Sequence, residues 1–126
     1  MYIIFAIAAG GALGALSRYA IIQASIVLWG SNFPFGTIIV NIMGCFFLGI
    51  LIAFFLSMDS YSQELRSFLT VGFLGSMTTF STFSFDIMEL WEQGDVVAMV
   101  VYGFLSVAIS IMALFLGLFV TRHIIL

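Results

Sequence analysis

Apolar residues fall into four long runs, roughly Tyr2 to Leu28, Gly36 to Leu56, Leu65 to Trp91 and Val96 to Val120, separated by short polar or turn-forming connections. A helix needs about 20 mostly apolar residues to cross a hydrocarbon core about 30 Å thick, and each run is long enough. The pattern predicts an all-α integral membrane protein of four transmembrane helices, with residues 1–126 forming one membrane domain. The first run lacks a basic segment before it and a small-residue cleavage site after it, so it reads as a retained span rather than a secretory signal.

Composition strengthens this picture and removes whole classes of function. The chain is 63% hydrophobic and 7% charged, whereas soluble domains carry about 25% charged residues. Its net charge of −3 comes from acids at helix ends and loops. With Arg18, Arg66 and Arg122 as the only permanent cations, no basic face exists for a nucleic-acid backbone. The single cysteine, Cys45, excludes an intrachain disulfide and reads as a small packing residue. The single histidine, His123, leaves no multi-ligand metal site and no His-based catalytic constellation within one chain. An enzyme is not expected.

Positively charged loops normally fix orientation. Here a cytoplasmic N-terminus would put Arg66 and Arg122 inside and Arg18 toward the outside, a bias weak enough to permit insertion both ways and hence an antiparallel homodimer. Four helices alone leave little room for a conduction path, which also points to oligomerisation. In span one, Gly10 and Gly14 form a small-xxx-small ridge with Ala6 and Ser17 on much the same face, suited either to packing within the chain or to a dimer contact. Arg18 lies about 24 Å along that helix from Tyr2. It reads either as an interfacial anchor or as the cation of a vestibule that gathers anions.

Span three carries the chemistry. In Gly75-Ser-Met-Thr-Thr-Phe-Ser-Thr-Phe-Ser84, seven of ten residues are Gly, Ser or Thr, mid-way along a transmembrane run. Hydroxyls that bond back to the backbone and β-branched threonines beside glycine weaken a helix, so the third helix is expected to be broken mid-membrane. Such a break survives only where the freed backbone groups are buried in protein or line a polar cavity, and broken helices of this kind hold ions in transport proteins. Phe80 and Phe83 sit among the hydroxyls, and the positive edge of an aromatic ring attracts an anion. Asn41, the one carboxamide in the middle of span two, offers either an interhelical bond or neutral donors to an anion. Tyr102, Ser106 and Ser110 recur every four residues and form a polar stripe that continues through Ala113 and Gly117. Asp86, Glu89 and Glu92, with Asp95 just beyond, read as interfacial acids at a helix end.

Together, the glycine-rich start of span one leading to Arg18, the Gly36-Thr37 and Val40-Asn41 stretch, the Gly75 to Ser84 run and the Tyr102, Ser106 and Ser110 stripe resemble the small bacterial fluoride channels, also described as fluoride exporters or camphor-resistance proteins. The resemblance spans the chain. It implies a multi-pass protein of the bacterial inner membrane that assembles as an antiparallel, dual-topology homodimer with two fluoride pores lined by both copies. It also implies a structural sodium ion at the dimer interface, held by the backbone carbonyls of Gly75 and Thr78. Phe80 and Phe83 would form the aromatic box and Asn41 an anion donor. Ser81 and Thr82 would add fluoride contacts, Tyr102, Ser106 and Ser110 would form the polar track, and Arg18 would stand near the vestibule. Two departures from the family pattern, Ser76 for Gly and Asp86 for Glu, lie outside that filter.

The implied mechanism is passive export that protects against fluoride toxicity. Fluoride enters as neutral HF, dissociates in the alkaline cytoplasm and leaves as the anion, driven by about 2.3 kcal/mol per 100 mV of negative-inside potential. An alternative of similar size is a dual-topology, proton-coupled multidrug antiporter, but that chemistry wants a carboxylate in span one, where this chain has Arg18 and no acid. A non-transporting adaptor would give the hydroxyl-rich break no purpose.

Overall fold

A computed structural model describes the whole chain, Met1 to Leu126. Helix α1 spans Tyr2–Trp29 and α2 spans Phe35–Ser57. The third span opens with α3, residues 63–77, in which helical turns Gln63–Ser67 and Gly75–Met77 flank a π-helical stretch, Phe68–Leu74. After a two-residue interruption it resumes as α4, Phe80–Glu92. Helix α5, Val96–Val120, runs on through a π turn at Thr121–Ile125. Four spans and a broken third helix are therefore as the sequence predicts, although the last helical segment reaches five residues beyond Val120.

Local chemistry sets the ends. Gly30 (φ 80°) and Gly94 (φ 75°) adopt left-handed backbone where α1 and the third span stop, a region that costs glycine nothing. Ser62 Oγ accepts from the Leu65 N–H at 3.2 Å to open α3, and Asp95 Oδ1 accepts from the Ala98 N–H at 3.1 Å to open α5. Asp95 is thus a helix cap.

The molecule is organised for lipid rather than water. Only 20 of its 126 residues are buried, too few for a soluble core, while large apolar side chains point outward along every helix. Without a hydrophobic drive between helices in a bilayer, close backbone approach does the packing. A Cβ on Gly14 would collide with the Phe73 carbonyl, and one on Gly10 with the Phe68 carbonyl. The small-xxx-small ridge of α1 is accordingly used within the chain, against the π-helical stretch of α3. Helices α2 and α5 cross in the same way, Gly49 against the Leu114 carbonyl and Gly117 against the Phe46 carbonyl. A Gly117→Val substitution should therefore destabilise by at least about 1–3 kcal/mol, because backbone cannot yield as a side-chain end can. Retention on size exclusion after stepwise heating reads this; a variant surviving to the parent's temperature would show that the crossing tolerates a side chain.

Beyond the break, α4 parts from α1 and packs chiefly on α5. Half of the third span is thus held by one neighbour, and the gap left between α2, α3 and α5 is where the polar residues collect.

Candidate functional site

Thr78 (φ −76°, ψ 153°) and Thr79 (φ −153°, ψ 124°) are extended, half-way along a 30-residue span. The N–H and Oγ1 of Thr78 both donate to the Leu74 carbonyl, at 3.0 and 2.9 Å, and end α3. In an unbroken helix the next N–H, that of Thr79, would go to Gly75. Instead it donates to Asn41 Oδ1 at 2.7 Å, while Asn41 Nδ2 donates to the Thr79 carbonyl at 3.0 Å. The side-chain amide pairs with the Thr79 peptide as a neighbouring strand would, satisfying both groups at a depth where water cannot. Thr79 then caps α4, its Oγ1 accepting from the Thr82 N–H at 3.1 Å and lying 3.3 Å from Ser81 Oγ. Gly44 on α2 leaves room for the Thr78 methyl, since a Cβ there would strike it. Of the two readings open for Asn41, the interhelical bond is made, and its second Nδ2 proton stays free for another acceptor.

A cavity of about 400 Å³ surrounds the break. It brings together Asn41, Gly75, Thr78, Phe80, Phe83, Ser106 and Ser110 of the expected site residues, and adds Cys45 and Thr79. The hydroxyls of Ser106 and Ser110 are buried with no hydrogen-bond partner, and Ser106 is only 4% exposed. An unpartnered buried hydroxyl costs about 1–3 kcal/mol, and both of these groups border the cavity. The Phe80 and Phe83 rings lie 5.4 Å apart at an interplanar angle of 42°. No arginine or carboxylate lines the space, and no cluster of His, Cys, Asp or Glu could hold a metal ion. Its polar atoms are neutral: an amide, hydroxyls and backbone groups. Gly75 is exposed, and its carbonyl has lost the Thr79 donor to Asn41.

The remaining candidates stand apart from this cavity. Ser81 is exposed and Thr82 half-buried on the first turn of α4, outside the lining. Arg18 is half-buried on α1, likewise outside it. Tyr102 is fully buried and donates its one hydroxyl proton to Asp86 Oδ2 at 2.7 Å. The stripe on α5 is thus of two kinds, with Ser106 and Ser110 free and Tyr102 engaged. Asp86 corrects the expectation of a solvated acid, being 8% exposed while Glu89 and Glu92 face outward. The reason is helical register: Asp86 and Leu90, four apart, form the face of α4 that meets α5.

Sequence reasoning missed three partners. Thr79 as a cap was signalled by a hydroxyl residue three before Thr82, where a new helix starts. Cys45 lies one turn beyond Asn41 and so shares its face. The Asp86 to Tyr102 bond joins residues on different helices, and no periodicity within one helix reveals it.

Comparison with known proteins identifies the family. The family model described as CrcB-like protein, Camphor Resistance (CrcB), matches residues 5–118. A protein of Geobacter metallireducens is 42% identical over 123 residues, covering 98% of this chain and 99% of its own length. One from Rhizobium leguminosarum bv. trifolii is 44% identical over 116 residues (92% and 93%), and one from Dehalococcoides mccartyi 50% over 92 residues (73% and 71%). Each of these relatives carries the name fluoride-specific ion channel FluC. With four spanning helices and bacterial relatives along its whole length, this is a multi-pass bacterial membrane protein. The chain belongs to the CrcB-like, camphor-resistance family.

Proposed function

We propose that the protein is a passive, fluoride-selective channel that exports cytoplasmic fluoride, and that it works as an antiparallel homodimer. The observation that carries this reading is the pair of orphaned hydroxyls, Ser106 and Ser110, beside the free Asn41 proton in a neutral mid-membrane cavity. A small, strongly hydrated anion needs several donors to replace its water, and none of these donors would trap it as a fixed positive charge would. The ring edges of Phe80 and Phe83 extend the donor set at the cavity's rim. The names of the relatives favour fluoride over other anions and channel action over catalysis.

Dimerisation is supported by the cavity's open side. Phe80 is 75% exposed and Gly75 is exposed, so in a lone chain the hydroxyl-rich break would face hydrocarbon, an arrangement bilayers do not tolerate. A second copy covers it, and the weak charge bias of Arg18 against Arg66 and Arg122 allows that copy to be inverted. The Gly75 and Thr78 carbonyls suit a sodium ion shared between copies, Gly75 having an oxygen left without its helical donor. When bound, the ion would supply a positive charge at the interface that pins the breaks. Asn41, Ser106 and Ser110 would take the anion, Phe80 and Phe83 would line its passage, and Ser81, Thr82, Tyr102 and Arg18 would serve at its approaches.

The test is a fluoride-electrode recording on liposomes holding the purified protein, a potassium gradient and valinomycin. Fluoride should leave rapidly without any pH gradient, and chloride should stay behind. Retention of fluoride, or efflux that requires a proton gradient, would overturn the channel reading.

A further inference from the structure

The loop joining α1 to α2 sends one ring inward. Phe33 is half-buried, whereas its neighbours Trp29 and Phe35 are 57% and 41% exposed. Its backbone is held by a turn. Gly30 ends α1, and Pro34 (φ −81°, ψ 64°) forms an inverse γ-turn in which the Phe35 N–H donates to the Phe33 carbonyl at 2.9 Å. That turn sets the Phe33 ring perpendicular to Tyr102, with centroids 5.7 Å apart and an interplanar angle of 90°. Tyr102 in turn meets Phe83 at 5.3 Å, and Phe83 meets Phe80 at 5.4 Å. Four rings therefore stand in unbroken contact from the loop to the mid-membrane break.

Tyr102 is the only ring of the four with a polar handle, and it is 0% exposed. Phe33 and Phe83 both pack against it, at 5.7 and 5.3 Å, and its hydroxyl is tied to Asp86. We propose that Phe33 is a positioning residue of the anion route, holding Tyr102, and through it the Phe83 and Phe80 edges, from the loop side. The role rests on the channel reading. It is distinct from lipid anchoring or plugging of the loop, for which any apolar side chain of similar volume would serve, because perpendicular aromatic pairs depend on ring geometry. A pair of this kind is worth up to about tenfold in a rate when its geometry is needed in the conducting state.

Phe33→Leu, Phe33→Met and Phe33→Tyr, each in liposomes beside the wild type, separate these roles. The leucine and methionine variants should lose about tenfold in fluoride efflux and part of the fluoride-over-chloride selectivity, while the tyrosine variant stays within about threefold of wild type. All should elute as the wild type does, and if leucine misfolds, methionine carries the comparison. Leucine or methionine with wild-type flux and selectivity would overturn the proposal, as would an equal loss in the tyrosine variant. A wild type that releases no fluoride in the same liposomes would instead overturn the channel reading, and this role with it.

Discussion

Exchanging Asn41 for leucine should abolish fluoride flux and lower thermal stability more than removal of any other polar side chain in the cavity. The substitution deletes both bonds to the Thr79 peptide, at 2.7 and 3.0 Å. An N–H and a carbonyl are then left unpaired at mid-membrane, each costing about 1–3 kcal/mol, so the total is about 2–6 kcal/mol. The third helix cannot recover simply by closing up, because the Thr79 side chain also supplies the cap of α4. Asn41→Asp separates the clamp from the donor. Its carboxylate still accepts from the Thr79 N–H but donates to nothing and repels an anion, so it should be equally non-conducting, the retained bond being offset by the cost of a charge at mid-membrane. Heating followed by size exclusion, with electrode traces on liposomes, reads both quantities. An Asn41→Leu protein as heat-resistant as the parent would show that something other than the amide holds the break open.

How much of this was legible beforehand follows from what each feature depends on. The four spans were, since length and apolar content decide whether a helix crosses a bilayer. So was the break, because the density of Gly, Ser and Thr from Gly75 to Ser84 acts on the local backbone. The π-helical stretch at Phe68–Leu74 was not. It lies where Gly72 meets Ile7 and Gly10 of another helix, and tertiary contact of that sort leaves no mark on periodicity. Gly10 and Gly14 announced close packing but not its partner. Asp86 was misplaced because Glu89 and Glu92 beside it do reach the exterior; only the four-residue register toward α5, with Tyr102 waiting at 2.7 Å, separates it from them. Phe33 was invisible as anything but a loop aromatic until its turn showed which way the ring points.

Phe80→Ile should cut fluoride flux by about tenfold or more while leaving assembly and stability unchanged. The ring is 75% exposed in the single chain, so little packing within the chain is lost, and isoleucine is comparably apolar against a second copy or lipid. What disappears is the positive ring edge and the contact with Phe83 at 5.4 Å, the aromatic pair alone being worth about 0.5–1.5 kcal/mol. In the antiparallel dimer proposed above every substitution would appear twice, once per copy, so losses along a pore lined by both chains would combine. The expected signature is therefore slow efflux from a protein that elutes and melts as the parent does. Wild-type flux through Phe80→Ile would mean that Asn41, Ser106 and Ser110 suffice to dehydrate the anion, and that the aromatic pair merely shields their hydroxyls from lipid. Impaired assembly would mean that the ring is needed where the second copy covers the break, so that lost flux no longer reports on the ring edge alone.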